Sequence, residues 1–261
     1  LMTSTPFLFG QKQGNIWYFG QNAGLDFNTG EPIPLTDGKI NQWEGCASIA
    51  NSNGQLLFYT DGIHVWNRKH QQMPNGFNLN GHPSSTQSGV VIPKPGNNNI
   101  YYIFTVDNNT GAKGLCYSVV DMQLDNGLGD IISDKKNIPI FTPSTEKIAA
   151  VIHANKSDFW VLTHLWSSNQ FNAYHITENG VDTENPVISN VGIIHQGKLG
   201  NSRGYMKSSP DGSKIAVAIE GIGKYQLFDF NNATGQLSNP VDFPDIYPSA
   251  YGVEFSPRSE E

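Results

Sequence analysis

The feature that most constrains the fold is a repeated unit of three short strands joined by turns. Each copy has an apolar strand, a turn rich in Pro, Asn or Gly, a second apolar strand, a short turn and a third strand. The four copies are Ser48–Asn67, Val90–Asp121, Val151–Ile176 and Met206–Phe230. One such unit cannot bury both of its faces alone, so the copies must pack against one another. A period of roughly 40–57 residues is typical of the blades of a β-propeller.

We therefore predict an all-β fold, with residues 1–261 forming a single β-propeller of four-stranded antiparallel blades. Strands are recognised as β-branched and aromatic runs bounded by turn formers. The innermost strands are predicted at Cys46–Ala50, Ser88–Ile92, Ile148–Ile152, Gly204–Ser208 and Tyr251–Phe255. A short helix over Thr145–His153 is the alternative for one of them, because its apolar residues also fit helical spacing.

The two ends of the chain look complementary. Asn15–Gly20 (NIWYFG) begins a unit that lacks an innermost strand, and Tyr251–Phe255 is an innermost strand without the rest of its unit. A blade shared between the termini closes a ring and removes its open edges. This predicts about five blades if the chain is complete and a truncated larger ring if it is not. We expect residues 1–14 to be flexible or tag-like and the C-terminal end to be cut within a blade.

Composition and charge exclude several classes of partner. The net charge is −7 and there is no basic cluster, which argues against nucleic acid. No apolar run approaches the roughly 20 residues that span a bilayer, so we predict no membrane span. Two cysteines, Cys46 and Cys116, are too few for a disulfide scaffold. They are either two buried thiols or one bridge.

The predicted topology sends many polar and aromatic side chains to one end of the propeller. The loops that lead into the innermost strands, which we call the inlet loops, lie at the same end as the loops after the second strands. The candidate binding residues of this tunnel-mouth face are Trp43, Glu44, Asp61, Ser85, Gln87, Asp107, Glu146, Lys147, His164, Trp166, Arg203 and Glu220. The alternative is that these groups cap strand ends and hydrogen-bond neighbouring blades.

No catalytic signature is complete: the chain has no H-E-x-x-H and no phosphate-binding loop, and its G-x-S-x-G match, Gly200–Gly204, lies in a loop before a predicted strand rather than in the strand-to-helix turn of a nucleophile elbow. We predict no catalytic residues, no metal site and no cofactor. Two alternatives stay open, a carboxylate pair of Glu44 and Glu146 across the tunnel and an ion held at the mouth by residues such as Asp61 and His164. His175 is expected to be structural or exposed.

Several motifs in order carry a resemblance to a known family. They include NIWYFGQNAGLDFN (Asn15–Asn28), LLFYTDGIHVWN (Leu56–Asn67), SSTQSGVVIPKPG (Ser84–Gly96), YYIFTVD (Tyr101–Asp107) and TEKI (Thr145–Ile148). The chain resembles the N-terminal WD-repeat-like propeller of very large secreted Bacteroidota proteins. These proteins commonly end in a type IX secretion sorting domain of the gliding-motility-associated, type B kind. The resemblance implies export, a secreted or cell-surface location and further blades after YGVEFSP. It implies no catalytic residue.

The sequence thus predicts a non-catalytic β-propeller module of a secreted or cell-surface protein, with a role such as adhesion. Its expected partner is a glycan, a surface protein or a matrix ligand bound at the tunnel-mouth face. One alternative is a hydrolase or glycan-active enzyme with a carboxylate or metal site at the mouth. Another is a structural spacer of a large surface protein.

Overall fold

Five antiparallel sheets follow one another along the chain in the computed structural model, which describes residues 12–244 and 249–257. We number them as blades one to five. The first two blades have three strands each: β1 (Ile16–Phe19), β2 (Ala23–Asp26) and β3 (Ile33–Leu35), then β4 (Ala47–Ala50), β5 (Leu56–Thr60) and β6 (Val65–Asn67).

The other three blades are larger. Their strands are β7 (Gly89–Lys94), β8 (Asn97–Val106), β9 (Leu115–Asp121), β10 (Asp130–Ile131), β11 (Ile138–Phe141), β12 (Ser144–Ile152), β13 (Phe159–Leu165), β14 (Ser168–Thr177), β15 (Gly180–Val181), β16 (Val187–His195), β17 (Met206–Ser208), β18 (Lys214–Ile219), β19 (Lys224–Asn231) and β20 (Gln236–Asp242). In blades three and four the outermost position is divided between two strands, β10 with β11 and β15 with β16.

Helical structure in the described residues is confined to short turns: Lys12–Gly14, Leu124–Gly127, Ser133–Lys135, Leu199–Ser202 and Glu220–Ile222. The all-β prediction is confirmed. The helix considered for Thr145–His153 is wrong, because Ser144–Ile152 forms β12, the first strand of blade four. The number of strands per blade varies between three and five rather than staying at four.

Local turn chemistry explains why the strands reverse where they do. In the turn between β17 and β18, Pro210 sets the backbone angle, and Asp211 Oδ1 accepts a hydrogen bond of 3.0 Å from the backbone of Ser213. Gly212 has a φ of +70°, which a side chain would disfavour. The Pro-Asp-Gly sequence therefore determines this hairpin locally.

Apolar side chains fill the spaces between consecutive blades, and they form four clusters in the described residues. Between blades four and five, for example, Phe171 contacts Phe228 with ring centroids 5.1 Å apart, and both rings are buried. Burying such a ring contributes roughly 1.5–3 kcal/mol. In the described part of the chain no comparable cluster joins blade five to blade one.

The C-terminal segment Tyr251–Phe255 does not form the strand that the sequence predicts. It lies beside the inner strand of blade five instead: Tyr205 N donates to Tyr251 O at 2.8 Å, and Lys207 pairs with Glu254 at 3.0 Å. Residues 258–261, where a cut within a blade was expected, lie outside the described residues, as do residues 1–11 of the expected flexible N-terminus.

A side chain of blade two occupies the inner edge of β1, where that strand was expected. Ser48 Oγ donates to Ile16 O at 2.7 Å and accepts a longer bond, 3.4 Å, from Tyr18 N. These are the backbone groups that an additional strand would use. The hydroxyl group therefore satisfies the edge of a blade that has three strands rather than four.

Candidate functional site

The inlet loops converge near the axis, and Gln87 is the centre of their contacts. Its side-chain nitrogen donates to Ile148 O at 2.7 Å and to Met206 O at 3.1 Å, and its oxygen accepts from the backbone nitrogens of the same two residues. The side chain thus bonds blade three to blades four and five. Gln87 is 8% exposed, so little of it is accessible to a ligand.

Glu146 and Lys147, adjacent in β12, are also buried in contacts between blades. Glu146 accepts bonds from the backbone and the hydroxyl of Thr86, both 2.8 Å, and from Asn109 N at 2.7 Å. Burial raises the pKa of the Glu146 carboxyl, although these hydrogen bonds oppose the rise. With three donors directed at it, this carboxylate connects the loops of Thr86 and Asn109 to β12 by hydrogen bonds.

The ammonium group of Lys147 donates to two carbonyl oxygens of the next inlet loop, Ser202 O at 3.1 Å and Arg203 O at 2.7 Å. Burial lowers the pKa of Lys147 to about 7, although the charges of Glu146 and Glu220 oppose this effect. Lys147 thus connects blade four to the inlet loop of blade five by buried hydrogen bonds.

Two acidic residues of the predicted face stabilise their own loops. Asp61 accepts a bond of 2.8 Å from Ile63 N, and its second oxygen contacts His64 Nδ1 at 3.1 Å. Asp107 accepts bonds from Asn108 N at 2.9 Å and from Lys113 N at 3.1 Å. Both carboxylates therefore cap turns of their own loops.

His164 lies inside blade four, stacked on His195 with ring centroids 3.8 Å apart. None of the four ring nitrogens has a hydrogen-bond partner among the described residues. Burial lowers the pKa of His164 to about 3 and that of His195 well below its usual value, and the nearby charge of Lys147 adds to both shifts. The pair is thus neutral and belongs to the core. Ser85, which is also buried, has a hydroxyl without a partner in the described chain.

The remaining predicted residues reach the surface. Trp43 is 77% exposed, and Glu44 and Trp166 are half-buried. Arg203 and Glu220 form an ion pair with a distance of 3.1 Å at partly exposed positions. The structure therefore brings Ser85, Gln87, Glu146, Lys147 and Arg203 together, but it uses most of them for contacts between blades.

A groove of about 640 Å³ opens where blade five faces blade one. Its lining includes Trp17 and Tyr18 of β1, Glu44 of the inlet loop, and Tyr205 and Lys207 beside β17. Two residues of the predicted tunnel-mouth face, Glu44 and Gln87, belong to this lining. The signal for Trp17 and Tyr18 was Asn15–Gly20, an aromatic strand without an inner neighbour, whereas Tyr205 and Lys207 lie in the predicted innermost strand Gly204–Ser208.

Side chains in this groove combine aromatic surface with charge. Trp17 is 50% exposed, and its indole nitrogen donates to Gly14 O at 2.7 Å, which orients the ring. Glu44 is half-buried, and after burial itself, its carboxylate helps to raise the pKa of Tyr251, so the two side chains lie close together. Lys207 carries its amine near the ring of Tyr205. The groove therefore offers a stacking surface next to a carboxylate.

Cys46 and Cys116 are both free thiols, and Cys116 Sγ donates to Lys113 O at 3.2 Å. The bridge considered from the sequence is therefore not formed. No helix in the described part of the chain has the length and apolar character to cross a bilayer.

Comparisons with known proteins identify the fold and nothing finer. No family model matches the chain, and no curated protein matches it. Among solved structures it is similar to a putative 6-phosphogluconolactonase from Bacteroides uniformis, with 11% identity and a TM-score of 0.50, over 95% of this chain and 72% of that one.

Two other solved structures are similar at comparable identity. One is the Cps50 (Swd1) β-propeller domain of Myceliophteria thermophila, with 12% identity and a TM-score of 0.41, over 94% of this chain and 87% of that one. The other is a functionally unknown protein from Desulfotomaculum acetoxidans, with 14% identity and a TM-score of 0.45. There the match covers 91% of this chain and 65% of that chain. The chain has a β-propeller fold.

Proposed function

We propose that this chain is a non-catalytic β-propeller module of a secreted or cell-surface protein and that its groove binds a glycan. The observation that carries the proposal is the pairing of a half-exposed Trp17 ring with the half-buried carboxylate of Glu44 in one groove. The apolar face of a sugar ring stacks on an indole ring. The hydroxyl groups of the sugar donate hydrogen bonds to carboxylates. The resemblance to secreted Bacteroidota propellers supports the location.

The size of the groove favours a short carbohydrate over a protein surface. Small-ligand sites measure roughly 300–1,000 Å³, and the groove of about 640 Å³ falls inside that range. A stable protein partner needs about 800 Å² on each side. The polar groups that could have formed such a flat surface, Gln87, Glu146 and Lys147, are buried between blades.

The enzyme alternative has less support. A glycoside hydrolase needs two carboxyl groups that are free to exchange protons with the substrate. The charge of Glu44 contributes to the raised pKa of Glu146, but burial is the main cause, and Glu146 is held by Thr86 and Asn109. A carboxylate fixed in this way is poorly placed to act as a general acid.

A glycan array followed by calorimetry tests the proposal. We expect binding to at least one oligosaccharide, weakened at least tenfold by Trp17→Ala and by Glu44→Ala. Trp43→Ala is the matched control, because Trp43 is an exposed tryptophan outside the groove lining. Loss of binding in Trp43→Ala alone would move the site to the rim. Absence of any glycan binding, with the protein folded, would overturn the proposal and favour a protein partner or a spacer.

A further inference from the structure

Three side chains of metal-ligand type converge at the opposite end of blade four from the inlet loops. His153 follows β12, Asp158 precedes β13, and His175 lies in β14. One ligand atom from each lies within 4.8 Å of the other two. His175 reaches this place because β13 and β14 pair with Trp160 opposite His175.

Surrounding contacts hold these three side chains in place. His153 Nδ1 accepts a bond of 3.0 Å from Asn155 N, and its Nε2 lies 3.1 Å from Ala233 O of blade five. Asn155 Nδ2 donates to Asp158 Oδ2 at 2.9 Å. Outer contacts of this kind, an imidazole against a carbonyl and a carboxylate held by an amide, are typical of metal ligands.

The rings of the two histidines are also fixed by stacking. The ring centroid of His175 lies 4.5 Å from that of the Trp160 indole and 5.0 Å from that of His153. Trp160 Nε1 in turn donates to Asn232 O at 2.8 Å. The aromatic stack therefore limits how far either imidazole can rotate.

One nitrogen in this cluster has no hydrogen bond. His175 Nε2 is buried and lies 3.3 Å from Asp158 Oδ2, but the two atoms do not form a hydrogen bond in the described structure. The side chains of His175 and Asp158 are 31% and 17% exposed, so an ion can reach them. A buried imidazole nitrogen directed at a carboxylate oxygen is a place where a cation satisfies both groups.

We propose that His153, Asp158 and His175 bind a Zn²⁺ ion, with water as the fourth ligand. Two imidazole nitrogens and one carboxylate oxygen suit zinc, whereas Ca²⁺ and Mg²⁺ prefer oxygen ligands alone. Ligand atoms in a tetrahedral zinc site are about 3.3 Å apart. Small rotations of the side chains, with His153 exchanging one of its present hydrogen bonds for the metal, bring the ligands to that spacing.

The site would fasten the turn between β12 and β13 to the neighbouring strand β14. It is separate from the proposed glycan groove, which is lined by blades one, two, three and five. The two proposals can therefore fail independently. Imidazole must be unprotonated to bind the metal, so zinc affinity falls at acidic pH.

Calorimetry of the metal-free protein with ZnCl₂ tests the site. We expect one ion per chain, at least tenfold weaker binding in His153→Gln and in His175→Gln, and a higher thermal midpoint for wild type with zinc. His64→Gln is the matched control, since His64 also contacts an aspartate, at 3.1 Å, but has no second histidine partner in the described chain. It should leave zinc binding unchanged.

Substitution of Co²⁺ for Zn²⁺ adds a readout that reports the ligands directly. Tetrahedral Co²⁺ with nitrogen ligands has visible absorption bands, and a paramagnetic ion next to His175 quenches the fluorescence of Trp160. We expect both signals in wild type, neither in His153→Gln, and loss of the quenching alone in Trp160→Phe. If His175→Gln does not fold, His153→Gln in the exposed turn keeps the test valid. No stoichiometric binding, or binding equal in wild type and His153→Gln, would overturn the proposal.

Discussion

The side-chain amide of Gln87 pairs with both backbone polar groups of Met206, a residue 119 positions further along the chain. The same amide bonds the backbone of Ile148 in the blade between them. A glutamine side chain thus replaces part of a backbone ladder at the axis. One side chain therefore joins three blades by hydrogen bonds.

Gln87→Leu should lower the free energy of unfolding by about 2–4 kcal/mol, because it leaves buried backbone groups of Ile148 and Met206 without partners. Urea denaturation followed by circular dichroism measures this. Gln71→Leu, at an exposed position, is the control and should change the value by less than about 0.5 kcal/mol. Equal effects in the two variants would show that the Gln87 bonds are weak.

Glu146→Gln should also destabilise the protein, by about 2–4 kcal/mol, because the amide oxygen can accept from Thr86 or from Asn109, whereas the amide nitrogen cannot accept from the other. The matched control is Arg203→Ala, which breaks a partly exposed ion pair with Glu220 and should cost less than about 1 kcal/mol. Chemical denaturation gives the free energy of unfolding of each variant and so compares a buried hydrogen-bonded carboxylate with a partly exposed ion pair. A larger loss in Arg203→Ala would contradict the assignment of Glu146.

Lys147 should make the protein more stable as the pH rises from about 7 to about 10. Its pKa is about 7 in the folded chain and near 10.5 when unfolded, so the unfolded state binds more protons in this window. Burial of the charged form costs free energy, and this cost is fully present below pH 7. In Lys147→Met the free energy of unfolding should therefore rise less between pH 7 and 10. Parallel curves for wild type and variant would contradict the lowered pKa.

The stacked pair of His164 and His195 should make the protein sensitive to acid. Both pKa values are lowered by burial, so the unfolded chain takes up protons first as the pH falls below about 6.5. Each histidine is expected to reduce stability by about 2 kcal/mol at pH 5. His195→Phe keeps the stack and should flatten the decline between pH 6.5 and 5 in urea titrations.

His64 provides a control of opposite sign for that experiment. Its pKa is raised, chiefly by the hydrogen bond to Asp61, so its contribution to stability is complete at low pH and is lost as the pH rises through the folded pKa. His64→Gln should therefore steepen the decline toward acid slightly, whereas His195→Phe reduces it. The same direction of change in both variants would refute the assignment of the buried pair.

The repeat, most of the strands and the turns were determined by the sequence alone, because they depend on neighbours a few residues apart. The apolar run of β13 and the Pro-Asp-Gly turn at residues 210–212 are local signals, and the structure follows them. Tyr251–Phe255 has strand composition but no strand structure, since pairing needs an open edge and Ser48 already occupies the edge of β1.

Only the tertiary structure decided which polar residues face a ligand and which hold the blades together. Gln87 and Trp43 both occupy inlet loops, yet one is 8% exposed and the other 77%. Likewise, the pairing of β13 with β14 brings His175 close to His153 and Asp158. The positions of the three residues in the sequence do not show this proximity. Burial depends on how closely separate blades pack against one another. That packing is set by many contacts between residues far apart in the sequence.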